Sequence, residues 1–360
     1  MAVFISSQEK EDLASIASYA SLDTLAGKTI LVTGSTGLIG SALIKGMVLY
    51  GKTHARPITI IGLARNEKKV KEVFGSFLDF AYLSFVYQDI HFPLSLAVPV
   101  DYIVHAASVT SSSFFISHPV ETIETTVLGS LNVLEFAREQ KVSSLVYLSS
   151  MEVYGRVGES EERTTEDTLG SLDILNVRSS YSESKRMAEC MCRSYYEEHG
   201  VPVKIARLAQ TFGPGIGAQD NRVFAQFAKS ALTGQDIVLH TTGLSVGNYC
   251  YLPDTIKGII TLLVKGASGE AYTIVNEDTS MTIADMASLV AEKVSKNSIK
   301  VVYDVPPKGI NLGYAPDTKL RLSAKKMNGL GWHAEVNLEQ AYQRLITGLR
   351  EAAEFQKERI

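Results

Sequence analysis

Between Lys28 and Ala206 the chain alternates short, almost wholly apolar runs with longer stretches whose apolar residues recur at helical spacing. Thr29-Ile30-Leu31-Val32 predicts a strand and Leu38 to Tyr50 a helix. Ile58 to Leu63 predicts a second strand, with a charged helix over Asn66 to Phe74. Further strands are expected at 85–87, 102–104, 144–148 and 203–206, with long helices over 120–140 and 181–199. Apolar strands alternating with helices predict a parallel sheet covered on both faces, an α/β doubly wound architecture. After about residue 210 the pattern loosens into a loop at 213–217, a helix over 221–233, a short strand at 237–239 and a helix over 253–265. The final third mixes short elements around Pro306-Pro307. The chain therefore divides into an N-terminal helical extension (1–26), a dinucleotide-binding body (27–210), a smaller, discontinuous α/β substrate domain (211–345) and a C-terminal helix or tail (346–360). Residues 250–265 are expected to return to the main body.

Ahead of the first strand, Ser6 and Glu9 have the spacing of a capping box, followed by Leu13, Ile16 and Ala20 on one helical face. A helix over residues 7–20 packed on the body is the expectation. The net charge of -4 gives no reason to invoke nucleic acid or an anionic membrane. No apolar run is long enough to span a bilayer, and, with no basic region ahead of an apolar core, a secretory leader is not expected. Three cysteines, an odd and small number, argue against a disulfide framework and for a reducing, cytoplasmic setting. Cys190 and Cys192 read as buried thiols, and no metal site is expected.

Two strings carry the chemistry. Gly34, Gly37 and Gly40 follow a strand and open a helix, in Thr33-Gly34-Ser35-Thr36-Gly37-Leu38-Ile39-Gly40. That is the context of a dinucleotide phosphate cradle: a tight turn, close backbone approach, close helix packing and N–H groups at a helix start. After the second strand stand Arg65 and Asn66, with no carboxylate until Glu67. Arg65 leans the cofactor toward NADP, because a guanidinium accommodates a 2′-phosphate; stacking on the adenine of NAD is the alternative. Asp89 and Ile90 follow the third strand, where Asp89 can meet the adenine. His105, Ala106, Ala107 and Ser108 follow the fourth, with His105 expected to be a structural hydrogen-bonder.

The second string places Tyr181 and Lys185 at i and i+4 on one helical face. A phenol is a poor base at neutral pH, and a neighbouring ammonium together with a cationic nicotinamide would draw its pKa down. Ser150, just past the fifth strand, can hydrogen-bond a developing oxyanion. Tyr181 would take a proton while hydride leaves the same carbon.

With TGSTGLIG, QDI, HAAS, YLSSMEVYG, YSESKRMAE, RLAQTFGPG, NYCYLPD and LGW, the chain resembles an extended short-chain dehydrogenase/reductase of the nucleotide-sugar epimerase/dehydratase kind over roughly residues 28–335. The resemblance implies a Rossmann fold, tightly bound NAD(P), a nucleotide-diphosphate sugar substrate and transient oxidation at the sugar C4. It implies Tyr181 as base, Lys185 as its orienter and Ser150 as hydroxyl partner, in a homodimer joined by a four-helix bundle from the helices near 120–140 and 181–198. Met151 stands where dehydratases carry an Asp, while Glu152 retains their Glu. Glu152 with Arg178 is similar to UDP-glucuronate decarboxylases, with Glu152 acting on a 4-keto intermediate and Arg178 meeting a sugar carboxylate or phosphate; a capping or ribose contact for Glu152 and a simple ion pair for Arg178 are the other readings. Gln210 replaces an Asn near the diphosphate, and Gly247 replaces a phosphate-binding Arg. The decarboxylases' C-terminal catalytic Arg has no clean counterpart in Tyr314 to Arg321. Arg222, Lys319 or Arg321 stand as substitutes for the diphosphate charge or as solvated surface. The reading is a redox-neutral enzyme that epimerises or decarboxylates the keto-sugar. A net NADPH-dependent keto-sugar reductase and a non-catalytic cofactor sensor are the rivals.

Overall fold

The computed structural model describes residues 4–158, 162–217, 220–305 and 319–357. Seven strands build one sheet: β1 (Thr29–Thr33), β2 (Thr59–Ala64), β3 (Leu83–Tyr87), β4 (Tyr102–His105), β5 (Ser144–Ser150), β6 (Val203–Leu208) and, from beyond the substrate-side segments, β10 (Ala271–Ile274). The order is β10-β6-β5-β4-β1-β2-β3, and every neighbouring pair is parallel. The chain reverses direction across the sheet between β1 and β4, and the crevice outside their carboxyl ends is where such sheets bind ligands. Strands β5 and β6 are buried along almost their whole length, which is why they read as unbroken apolar runs.

Helices cover both faces. On one side lie α1 (Ser7–Ala17), α2 (Leu38–Thr53) and α8 (Leu252–Lys265), in a core that also holds Leu22, Leu320, Met327 and Trp332. On the other, α5 (Pro119–Gln140) and α6 (Ser179–His199) pack over Leu145, Tyr147, Val203 and Ile205. Between β2 and β3 runs α3 (Glu67–Phe74), and between β4 and α5 the short α4 (Ser112–Ser117). The main body therefore takes in β10 and residues around 320–332 as well as α8.

A second, smaller core is built from β7 (Gln210–Phe212), α7 (Val223–Thr233), β8 (Ile237–Leu239), β9 (Val246–Tyr251), β11 (Asn276–Thr282), α9 (Ile283–Leu289) and β12 (Val301–Tyr303). β11 pairs with β9 antiparallel and β9 with β7 parallel, while β12 pairs with β8. The chain closes with α10 (Lys325–Gly329), on the edge of the main body, and α11 (Leu338–Lys357), which gives Tyr342 and Leu345 to the smaller core. Pro306-Pro307 and Tyr314 to Thr318 lie outside the described residues.

The N-terminal helix is shorter than its pattern predicts. It ends at Ala17 because Tyr19 turns extended and its hydroxyl meets Thr261 of α8 at 2.7 Å; a 3-10 turn over Ala20–Leu25 follows. Ser6 caps it through the Glu9 N–H at 3.0 Å, but Glu9 carries its carboxylate to Lys45 of α2 at 2.9 Å. Asp12, buried, accepts from Tyr251 at 2.5 Å and pairs with Arg344 of α11 at 3.4 Å. This segment thus ties the glycine-turn helix to both cores. Cys192 and Cys250 are buried, but Cys190 is exposed, because on α6 it faces away from the sheet that covers Cys192.

Candidate active site

The glycine turn joins β1 to α2 at the carboxyl edge. Gly34 has φ +63°, and a Cβ there would lie 2.5 Å from the Ala106 carbonyl oxygen. A Cβ on Gly40 would lie 2.4 Å from the Gly34 carbonyl oxygen. Neither position admits a side chain without moving backbone. Ser35 is fully buried and donates its hydroxyl to the Leu63 carbonyl at 2.8 Å, locking the turn to β2. Thr36, Leu38 and Ile39 are half-buried and Gly37 is exposed, so bare backbone faces the crevice at the start of α2. These residues fit a dinucleotide's pyrophosphate: the cradle is the space that side chains at Gly34 and Gly40 would fill.

The neighbouring strand ends are less uniform. Arg65 is two-thirds exposed and sits 3.7 Å from Asp89. Asp89 also accepts from the His91 backbone at 3.0 Å and meets its ring at 2.6 Å; against the upward pull of burial, these partners and Arg65 hold its carboxyl below the usual range. Asn66 uses its side chain to cap α3 through the Lys69 N–H. Ile90 points into the core against Gly129, and its carbonyl accepts from Asn132. His105 is buried with its ring nitrogens at 2.7 Å from Thr33 and 3.3 Å from Ser130; burial, helped by Lys185, drops its pKa to about 3. The Ala107 N–H donates to Thr33, Ala106 lies against the glycine turn, and Ser108 donates to the Val109 carbonyl.

Five side chains converge beyond β5 and at the start of α6. Ser150 lies near enough to the Tyr181 phenol to favour its ionised form and caps the following turn through the Glu152 N–H at 3.2 Å. Tyr181 is buried and stacked on Phe115 of α4, with centroids 4.2 Å apart and planes 7° from parallel. The Lys185 ammonium donates to the Leu148 carbonyl at 2.8 Å and lies 4.8 Å from the centre of the Tyr147 ring and 5.9 Å from that of Tyr181. Burial lowers Lys185 to about 8. It also drives Tyr181 well above the ordinary phenol value; Glu152 adds to the rise, while Ser150, Arg178 and Arg222 oppose it. The protein's own surroundings thus raise the phenol, and the expected lowering counts on a cationic nicotinamide as well as the ammonium. Desolvation outweighs the neighbouring cations until another positive charge arrives.

Arg178 and Glu152 are joined by two hydrogen bonds, 2.9 and 3.2 Å, and Ser182 donates to the same carboxylate at 3.2 Å. Met151 between them is half-buried against the main core. Across the crevice, Gln210 opens β7 opposite Tyr249. Arg222 stands just ahead of α7, pairs with Asp220 at 2.5 Å and lies over the Phe224 ring, near enough to Tyr181 to influence its ionisation. Gly247 is buried, and a Cβ there would meet the Tyr249 ring at 2.5 Å, so a side chain at this position would have to displace that ring. Sequence reading missed Phe115 and Ser182. Neither carries a motif signal; Ser182 lies inside the YxxxK string, and Phe115 lies on a helix too short to show a period.

A sequence model of the NAD dependent epimerase/dehydratase family matches residues 30–276. UDP-glucuronic acid decarboxylase 6 of Arabidopsis thaliana is 29% identical over 313 residues, covering 86% of this chain and 85% of the relative. The structure superposes on a dTDP-glucose 4,6-dehydratase from Streptomyces venezuelae solved with NAD, with TM-score 0.73, 25% identity, and coverage of 91% of this chain and 98% of the other. It also superposes on a UDP-glucuronic acid 4-epimerase from Bacillus cereus solved with NAD, with TM-score 0.71, 20% identity, and coverage of 90% and 99%. Fold, glycine turn and sequence match agree: the chain belongs to the NAD dependent epimerase/dehydratase family, the nucleotide-sugar epimerases, dehydratases and decarboxylases of the extended short-chain dehydrogenase/reductase type.

Proposed function

We propose that this enzyme decarboxylates a UDP-linked uronic acid through transient oxidation at C4. The observation that carries the reading is the Arg178–Glu152 pair set beside Ser150 and Tyr181. A guanidinium with two parallel donors matches a carboxylate, so a sugar acid can take the place of Glu152 on Arg178. Tyr181 would receive the C4 hydroxyl proton as its phenolate, the form that the positive charge of a bound cofactor would favour, and Ser150 would donate to the oxygen as its charge develops. The bound nicotinamide supplies a hydride acceptor that is restored before product leaves. In the 4-keto sugar, the C5–C6 bond electrons pass through C5 to the carbonyl oxygen as carbon dioxide departs, and Glu152, freed from Arg178, passes a proton taken up from solvent to C5. The curated relative named for UDP-glucuronic acid decarboxylation supports this substrate.

The cofactor would lie on Gly34 to Gly40, with Asp89 and Arg65 at its adenosine end. The exposed Arg65 favours a 2′-phosphate, hence NADP, and makes net NADPH-dependent reduction of a keto-sugar the second reading. Residues Ser108, Met151, Gln210 and Arg222 are proposed to line the sugar and diphosphate. Val120, Ile123, Leu128 and Leu131 form an exposed stripe at helical spacing on α5, beside Met187 on α6. That supports a homodimer joined through these helices. Among the described residues no helix is long and apolar enough to cross a membrane.

The test is mass spectrometry of ligands released from the denatured protein, followed by incubation with UDP-, dTDP-, CDP- and GDP-sugars. Carbon dioxide and a UDP-pentose from UDP-glucuronate, without net cofactor consumption, are expected. An isomer of unchanged mass would replace decarboxylation by epimerisation, and stoichiometric NADPH consumption would favour the reductase.

A further inference from the structure

The turn after β3 carries more than Asp89. Gln88 braces it from one side, its amide donating to the Phe92 and Pro93 carbonyls at 3.2 and 2.8 Å. From the other side, the Asn132 amide of α5 donates to the Ile90 carbonyl at 2.8 Å, and Ile90 packs on Gly129. Between these anchors the chain folds back, with the Phe92 N–H donating to the Asp89 carbonyl at 3.2 Å. His91 is thereby held beside Asp89 on a braced loop rather than a loose one.

The two carboxylate oxygens of Asp89 are not equivalent. Oδ1 takes both His91 contacts, the backbone N–H at 3.0 Å and the ring Nδ1 at 2.6 Å. Against the upward pull of burial, His91 and Arg65 hold the carboxyl below its usual range, so it is ionised at neutral pH and only accepts. Nδ1 must therefore carry a proton. In a neutral imidazole that leaves Nε2 as the acceptor, and the Thr125 hydroxyl of α5 stands 3.3 Å from it. Asp89, His91 and Thr125 thus form a chain from α5 to the cofactor edge of the sheet. Oδ2 lies outside this chain. Its neighbour Arg65 stays 3.7 Å away, beyond hydrogen-bonding distance, with its side chain two-thirds exposed. A screened cation at that distance is a weak competitor for an incoming donor.

We propose that His91 is a positioning residue that sets the choice of cofactor base: by taking Oδ1 and tying it to α5, it presents Oδ2 as a fixed acceptor for the 6-amino group of adenine. The inference rests on the reading that the adenosine end lies at Asp89, and it is independent of the sugar and of the 2′-phosphate. The chemistry is directional. A 6-amino group donates to a carboxylate, whereas the 6-oxo group of hypoxanthine brings a second acceptor against it. A carboxylate free to rotate or to swing into water would blunt that difference.

The test is a competition on the full-length protein stripped of dinucleotide. NAD and nicotinamide hypoxanthine dinucleotide are equilibrated with it in equal amounts, and mass spectrometry of the retained ligand gives their ratio; the pair carrying a 2′-phosphate is run in parallel. The wild type should retain the amino form roughly thirtyfold over the oxo form, as expected for a charge-assisted hydrogen bond exchanged for a repulsion. His91→Phe keeps the ring's bulk and the backbone N–H but loses the ring donor, and the preference should fall roughly fivefold. His91→Asn returns a donor to the place of Nδ1 and should restore part of it. Should His91→Phe not accumulate folded, His91→Ala should show the same fall. If His91 only fastens the turn to α5, the Phe variant should retain less of both dinucleotides at an unchanged ratio. That outcome, or no recovery in His91→Asn, overturns the proposal. Asp89→Asn judges the underlying reading separately: a preference untouched by it, or none in the wild type, removes the base from Asp89 and the proposal with it.

Discussion

Along the cofactor edge the side chains turn inward and leave backbone bare, with Ser35 bonded to Leu63 and Thr33 to His105 and Ala107. Around the proposed sugar site the charged side chains hold one another instead, Arg178 on Glu152 and Arg222 on Asp220. The first half is built before any ligand arrives; the second has its charges already satisfied. On the proposed reading, a ligand would bind the first by filling space and the second by exchanging partners. Affinity for the dinucleotide should therefore depend on room, and selectivity for the sugar on competition for Arg178.

The largest expected effect comes from removing room. Gly40→Val should abolish cofactor retention and cost about 2–3 kcal/mol by overpacking against the Gly34 carbonyl; thermal melts and released-ligand mass spectrometry read both losses. Tyr181→Phe should lower turnover by roughly a thousandfold while cofactor stays bound. Retained turnover would break the proton-relay account. Glu152→Gln should lower turnover by roughly a hundredfold and tighten binding of the unreacted sugar acid, because it weakens the competitor on Arg178. Calorimetry with UDP-glucuronate checks that sign, and weaker binding would mean the pair is merely structural.

Acid stability sharpens the same contrast on the cofactor side. His105 titrates at about 3 when folded and near 6.5 when free, so the unfolded chain binds more protons between those values. The contribution of neutral His105 is fully present above 6.5 and is lost as pH falls toward 3. His105→Gln should flatten the fall in urea midpoint over that window. The smallest effect belongs to the most exposed residue: Arg65→Ala should shift the NADP-to-NAD preference by roughly fivefold, as expected for a solvent-screened cation.

The two halves also differ in how far they could be read beforehand. A glycine turn is legible because backbone geometry excludes other residues at Gly34 and Gly40, and the strand and helix around it are set by local periodicity. Tyr181 and Lys185 are legible as positions on a helix, but not in their ionisation. Their burial depends on Phe115, Tyr147 and β5, which arrive from distant segments. The Arg178–Glu152 bond spans 26 residues; an ion pair for Arg178 is one reading of the sequence, but its partner is not legible there. The return of β10 to the main sheet and the start of α11 at Leu338 were not legible either. Both are short or mixed patterns whose place is decided by tertiary packing. Gly247 was legible as a departure, while its cause, the Tyr249 ring, was not.

The most direct test of the partner-exchange account is the ratio of kcat/KM for UDP-glucuronate over UDP-glucose, measured in the wild type and in Arg178→Met. The wild type should favour the sugar acid, and the substitution should collapse that preference by roughly a hundredfold, as expected for a lost charge-assisted bidentate contact. Equal conversion of both sugars by the wild type, or an unchanged ratio in Arg178→Met, would contradict it.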